Sequence, residues 1–258
     1  MNLKIHNYDK YGYLILKNVI DKKLLTELRQ IIKKNFYFTS KFKKNNFHKD
    51  LIKYRMLNKK NFGYFFDTLQ TTSINYKILT QSKILSIVNK LLRNTMKCIS
   101  LTDVSLRIDP PNDNRNSLKW HQDSSYFRQN KNAKNGTVVW LPVFTVNSKT
   151  GTIEILEKSY EIGPQNIKRK KSKKNLSSQR DINQKLLKGF KKVHFNLIKP
   201  GDAIFMNMDM VHRSSINVGK VNRVSLIGRY HNTISGDYNS GLNIFKYSDS
   251  KLNKEVHG

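Results

Sequence analysis

The chain has 258 residues, 38% of them hydrophobic and 10% aromatic, which supports one large β-rich domain with helical additions and excludes intrinsic disorder. Its single cysteine, Cys98, excludes an internal disulfide framework and any cysteine-based zinc or iron–sulfur site, and fits a reducing cytoplasm. The net charge of +30 rests on 37 Lys against 11 Arg; nucleic-acid surfaces lean on Arg for bidentate contacts, and Lys, Asn and Ile share A/T-rich codons, so the excess reads as a solvated Lys-rich surface.

From the N-terminus, residues 1–6 lack the apolar core of a signal peptide, and residues 13–20 are too short and interrupted to span a bilayer. A soluble cytoplasmic protein is expected. Residues 13–18 predict a short strand. Asp21 then caps a helix whose apolar stripe is Leu24, Leu25, Leu28, Ile31 and Ile32. Residues 45–71 fit either helix or irregular chain. A second amphipathic helix begins near Ser82, with Ile84, Leu85, Ile87, Val88, Leu91 and Leu92.

After Asn94 the period changes. Residues 97–109, 137–146, 152–156, 193–198, 202–207 and 221–230 are β-branched and aromatic segments of strand length. Turn signals bound them, among them Pro110-Pro111-Asn112-Asp113 and Pro200-Gly201-Asp202. Helices followed by many strands predict an α+β, β-rich fold, with N-terminal helices buttressing a jelly-roll or cupin-like barrel. No linker divides it, so residues 1–258 read as a single domain. Residues 165–192, with the basic run 168–174, read as an inserted loop: a solvated insertion, or a lid or docking surface for an anionic substrate or carrier.

The chemistry centres on Trp120-His121-Gln122-Asp123. On a strand, i and i+2 share a face, so His121 and Asp123 can present an imidazole and a carboxylate to one point, while Gln122 points away. Alone this is weak, because an H-x-D arises by chance in roughly one of three such chains. Far downstream, Val211-His212-Arg213-Ser214-Ser215 follows an apolar strand. His212 could complete a two-histidine, one-carboxylate facial triad, which leaves three positions open on an iron, two for a 2-oxo acid and one for O₂. Eleven residues beyond His212 lies Arg223, in an alternating strand. A guanidinium there can pair with a second, buried carboxylate of the co-substrate. Arg229 shares its parity and competes for that role, but its place near the strand end predicts exposure to solvent.

These residues resemble the phytanoyl-CoA dioxygenase-like family of Fe(II)- and 2-oxoglutarate-dependent hydroxylases. The resemblance runs through residues 8–36, with Tyr11-Gly12-Tyr13, through Trp120-His121-Gln122-Asp123-Ser124 and residues 140–151, to Pro200-Gly201-Asp202, His212, Ser214 and Arg223. It implies a double-stranded β-helix in which His121, Asp123 and His212 hold Fe(II). Arg223 and Ser214 would then bind the distal carboxylate of 2-oxoglutarate. The implied reaction consumes O₂, releases succinate and CO₂, and hydroxylates a small organic substrate. Asp123 argues against halogenation, which needs a small residue in its place. Two features depart from the family pattern: Ser159-Tyr160 where members often have Ser-His, and the basic insertion.

Other residues have blander readings. Trp120 and Trp140 are expected to pack in the core or at the rim, and Tyr126 and Phe127 either to line a pocket or to pack at the barrel mouth. His194 and His231 lack a carboxylate at ligand spacing and read as structural; His6, His48 and His257 read as exposed. Lys119 and Arg107 are candidates to reach an anionic substrate or co-substrate. Two alternatives stay open: an oxidative demethylase of nucleic acid, suggested by the charge, and a non-catalytic barrel serving as a binding module.

Overall fold

The computed structural model describes residues 5–113, 118–127, 129–165 and 182–239. Most of the basic insertion, with its run 168–174, and His257 lie outside the described residues.

A short helix α1 (Ile5–Tyr11) leads through Gly12 into strand β1 (Tyr13–Leu16). Gly12 has φ +82°, and a Cβ there would meet the Met210 methyl and the Tyr160 ring. Only glycine tolerates both the left-handed backbone and that approach. Tyr160 also donates from its hydroxyl to the Asp9 carbonyl, so the departure from Ser-His fastens this loop to the N-terminal segment.

Helix α2 (Lys22–Ser40) is capped as predicted, the Asp21 carboxylate accepting from the Lys23 amide at 2.7 Å. Leu25, Leu28, Ile32 and Phe36 are fully buried along one face, while Leu24 and Ile31 are half-buried at its margins. Burial of each such side chain contributes roughly 1.5–3 kcal/mol. Residues 45–71 resolve into α3 (Phe47–Leu57) and α4 (Lys59–Gln70). Asn58 divides them, ending α3 through its backbone amide and starting α4 through its side chain, which accepts from the Asn61 amide. Two more helices follow, α5 (Ser73–Leu79) and α6 (Ser82–Leu91), the latter at the predicted position. Among the described residues no helix is long and apolar enough to cross a membrane.

The strands are β2 (Ile99–Asp109), β3 (Gly136–Pro142), β4 (Val146–Asn147), β5 (Ile153–Leu156), β6 (Lys192–His194), β7 (Leu197–Ile198), β8 (Ala203–Asn207), β9 (His212–Ser214) and β10 (Arg223–Asn232). Two expected strands, 137–146 and 193–198, are each broken in two. The pairings are antiparallel and form a five-stranded sheet β1-β8-β3-β10-β2, a three-stranded sheet β6-β5-β9 and a separate pair β4-β7.

Alternation gives the large sheet two destinies. Leu14, Leu106, Ile108, Val139, Leu141, Phe205, Val224, Leu226 and Tyr230 pack against the helices. Val138, Trp140, Ile204, Met206 and Ile227 face the other way and meet Ile153 and Ile155 of the small sheet. Two facing sheets with helices on one outer face form the jelly-roll arrangement expected from the sequence, left open along their edges. The space between the sheets holds the polar residues described next.

Candidate metal centre

His121 and His212 are brought together by backbone pairing. Each donates its amide to the other's carbonyl at 3.0 Å, forming an isolated antiparallel bridge. Directly opposed residues of such a pair project to the same face, and the two imidazole centres lie 4.3 Å apart. Gln122 is extended (φ −113°, ψ 137°), so Asp123 returns to the His121 face before the chain enters a single 3₁₀ turn at Asp123–Ser125. Gln122 points away, donating to the carbonyls of Gly163 and Asp209.

Ligand atoms of His121, Asp123 and His212 all lie within 4.8 Å of one another, and all three residues are buried. Nδ1 of His121 is 2.8 Å from the Lys119 carbonyl, and Nδ1 of His212 is 2.9 Å from the Met210 carbonyl. A carbonyl only accepts, so both Nδ1 atoms carry the hydrogen. Burial lowers the pKa of both imidazoles and keeps them neutral. Each Nε2 is therefore left with a lone pair, held in orientation by the carbonyl behind the ring.

Burial opposes the charge on Asp123, but the Arg229 guanidinium beside it outweighs that and holds the carboxyl below the usual carboxylate range. Its Oδ2 is buried with no hydrogen-bond partner, 4.0 Å from Nε2 of His212. An unpartnered buried carboxylate oxygen facing imidazole lone pairs is costly unless a cation joins them. The donor set of two nitrogens and one carboxylate on one side fits a non-haem iron site.

Around this cluster β2 and β10 place an ion-pair ladder. Arg223 sits opposite Asp109 and Arg229 opposite Asp103. Arg223 donates through Nε and Nη2 to Asp109 Oδ2, at 3.1 and 3.0 Å, and through Nη1 to the Ser215 carbonyl. Its buried charge is thus compensated within the protein, and burial alone does not demand a ligand. Arg107 lies 3.4 Å from the other Asp109 oxygen. Gly151 (φ +75°) approaches Arg223 so closely that a Cβ would sit 2.7 Å from Nη1.

Arg229 corrects the expectation of exposure: its side chain is 8% exposed and pairs with both Asp103 and Asp123. β10 runs to Asn232 and is paired on both edges here, so the residue is interior. His48 is likewise half-buried rather than exposed and accepts from the Asn222 amide. His194 does face a carboxylate, Glu154, across the β5–β6 pair at 3.5 Å, together with Arg213. His231 is buried against Asn130. Trp140 packs between the sheets, and Trp120 packs beneath Arg213. Tyr126 meets His121 edge-on, and Phe127 lies under Arg229. Lys119 and Ser214, two residues from His121 and His212 respectively, line a cleft of about 390 Å³ with Thr152, Arg213 and Ser215.

The family model for phytanoyl-CoA dioxygenase matches residues 8–225. The chain belongs to the phytanoyl-CoA dioxygenase family. That range spans the Tyr11-Gly12-Tyr13 segment, the metal cluster and Arg223. No curated protein matches the chain in sequence. Among solved structures, the epimerase SnoN in complex with Fe³⁺, α-ketoglutarate and nogalamycin RO superposes with TM-score 0.61 at 12% identity, covering 95% of this chain and 90% of that one. EctD from S. alaskensis, with 2-oxoglutarate and 5-hydroxyectoine, gives TM-score 0.60 at 13% identity, covering 88% and 74%. The non-heme monooxygenase ThoJ gives TM-score 0.61 at 16% identity, covering 89% and 77%. These likenesses establish the fold. Membership in the phytanoyl-CoA dioxygenase family, with a His-Asp-His cluster suited to iron, makes this chain a non-haem Fe(II)- and 2-oxoglutarate-dependent dioxygenase.

Proposed function

We propose that this phytanoyl-CoA dioxygenase-family chain hydroxylates a small organic molecule, with His121, Asp123 and His212 holding the iron and Arg223 and Ser214 receiving the distal carboxylate of 2-oxoglutarate. The observation that carries the reading is the convergence of three donors from two distant segments on one buried point, with Asp123 Oδ2 unpartnered. The bound iron, with 2-oxoglutarate and O₂, supplies the oxidising chemistry. The protein's part is to bind, orient and exclude water.

Charge balance supports the co-substrate. Arg107, Arg223 and Arg229 face Asp103, Asp109 and Asp123, so the six side chains sum to zero. A ferrous dication and a dicarboxylate then enter as a second neutral pair. The fold neighbours carry small molecules, nogalamycin RO and 5-hydroxyectoine, and this supports a small-molecule substrate here. The net charge of +30 and the place of Lys119 on the cleft favour an anionic or carrier-bound one. A single domain in a reducing cytoplasm suits such an enzyme, whose ferrous ion and lone Cys98 need no oxidising compartment.

Anaerobic addition of Fe(II) and 2-oxoglutarate should produce a visible metal-to-ligand charge-transfer band, and aerobic incubation should release succinate even without substrate. His212→Ala should show neither. Metal-loaded wild-type protein without the band would overturn the proposal. Screening candidate compounds for stimulated succinate release then identifies the substrate class.

A further inference from the structure

The metal reading uses one oxygen of Asp123 and leaves the other to be explained. Oδ1 accepts a hydrogen bond from Nη2 of Arg229 at 3.2 Å, whereas Oδ2 has no partner. Arg229 is itself held from several directions. Its Nη1 is ion-paired with Asp103, which lies directly opposite on β2. Its guanidinium carbon is 4.1 Å from the centre of the Phe127 ring. On its other edge, β10 pairs Arg229 with Val138 of β3, so its backbone is held from both sides. A planar guanidinium gripped in this way fixes the carboxylate rotamer it touches.

A carboxylate can ligate a metal through one oxygen or both. Ligation through both would fill a position that a 2-oxo acid and dioxygen need beside a three-residue facial set. Both oxygens face the imidazoles, Oδ1 at 3.8 Å from Nε2 of His121 and Oδ2 at 4.0 Å from Nε2 of His212, but the guanidinium hydrogen bond occupies Oδ1 and leaves Oδ2 as the oxygen free to ligate. Because Asp103 neutralises Arg229, the cap adds no net positive charge beside the cation.

We propose that Arg229 is a positioning residue that caps Asp123 Oδ1, confines the carboxylate to one-oxygen ligation and thereby preserves the open positions. The inference rests on the reading of His121, Asp123 and His212 as the iron site. Sequence alternation placed Arg229 on the same face as Arg223; the structure gives it a different task, toward the metal ligand and not the co-substrate carboxylate.

The test uses the charge-neutral double variant Arg229→Met/Asp103→Asn, which removes the cap and its Asp103 counter-charge together, so the net charge is unchanged and Asp123 is the buried carboxylate left uncapped. Loss of an outer partner of a metal ligand weakens metal affinity roughly 10- to 100-fold, so anaerobic Fe(II) titration should show a Kd raised by that factor. The ligand-field spectrum of the Co(II)-loaded protein, which reports coordination number, should also change. Arg229→Lys, which keeps the charge but not the fork, should give a smaller effect of the same sign, and it serves as the test if the double variant does not fold. Wild-type Fe(II) affinity and an unchanged Co(II) spectrum in a folded variant would overturn the role of Arg229 alone. Failure of the wild-type protein to bind Fe(II) would overturn the metal site and this inference with it.

Discussion

Replacing Arg223 by Leu separates its two roles, partner of Asp109 and receptor for a co-substrate carboxylate. Both side chains of the pair are nearly inaccessible, 4% and 5% exposed. Removing the guanidinium alone takes from Asp109 the contacts at 3.1 and 3.0 Å and leaves Arg107 at 3.4 Å. Breaking a buried pair from one side costs about 3–5 kcal/mol, a large part of a total stability of about 5–15 kcal/mol. The single variant therefore reports mainly on folding. Arg223→Leu/Asp109→Asn removes the stranded charge and isolates ligand binding. A hydrogen bond to a charged group is worth about 1.5–3 kcal/mol, and each 1.4 kcal/mol is about tenfold in affinity. Loss of one or two such bonds to the distal carboxylate predicts 2-oxoglutarate binding weakened on the order of 10- to 10,000-fold. The assay is anaerobic titration of the Fe(II)-loaded protein, read by the charge-transfer band, with 2-oxoglutarate and in parallel with pyruvate, which lacks the distal carboxylate. Wild type should prefer 2-oxoglutarate, and the double variant should lose the preference while keeping its Fe(II) affinity. A folded double variant that still discriminates between the two acids would refute the assignment of Arg223 to the co-substrate.

Gly151→Ala forces a left-handed backbone worth about 1–2 kcal/mol on a residue with a side chain, and its Cβ would lie 2.7 Å from both Arg223 Nη1 and the Ser215 carbonyl. Thermal unfolding should drop by several degrees, and 2-oxoglutarate binding should suffer more than Fe(II) binding. Gln122→Leu takes a donor from the buried Asp209 carbonyl, at about 1–3 kcal/mol for a group left dry, and a partner from the part-buried Gln165 amide, while the Gly163 carbonyl keeps Gln165 Nε2 at 3.4 Å. Denaturant unfolding should register the loss while the residual folded protein keeps its Fe(II) affinity, because the side chain faces away from the metal. Burial holds His231 down to about 4, whereas an unfolded histidine protonates near ~6.5. As pH falls through that window the unfolded state binds more protons, so stability falls by up to about 1.4 kcal/mol per pH unit. His231→Gln should flatten the loss of denaturation midpoint between about pH 7 and pH 5; equal slopes for both proteins would sink the assignment.

Local rules made half of the site visible. His121 and Asp123 share a face because an extended Gln122 separates them, a relation set within three residues. Asp21 announced its helix because a capping carboxylate acts on the next turn. The left-handed backbone at Gly12 and Gly151, and what presses on each, Met210 and Tyr160 or Arg223, came only with the structure. Residues 45–71 escaped because Asn58 both ends one helix and starts the next, which hides the boundary that composition usually reveals. A missed signal lay in β2. Asp103, Ser105, Arg107 and Asp109 put a charged face on alternate positions of an 11-residue strand, opposite apolar Leu106 and Ile108. A polar face on a strand of that length points inward to a site or outward to water, and its match with Arg223 and Arg229 favoured the former.

The sequence by itself settled the chemistry on offer: which side chains can ligate iron, which can pair with a carboxylate, and that a helical layer precedes a β-rich one. Only the folded chain decided which of them meet. His212 reaches His121 because the two backbones exchange hydrogen bonds, and Arg229 reaches Asp123 because β10 is an inner strand rather than a frayed end. Alternation says which residues share a face of one strand. Register between strands, fixed by long-range burial of the apolar faces, says which faces share a point.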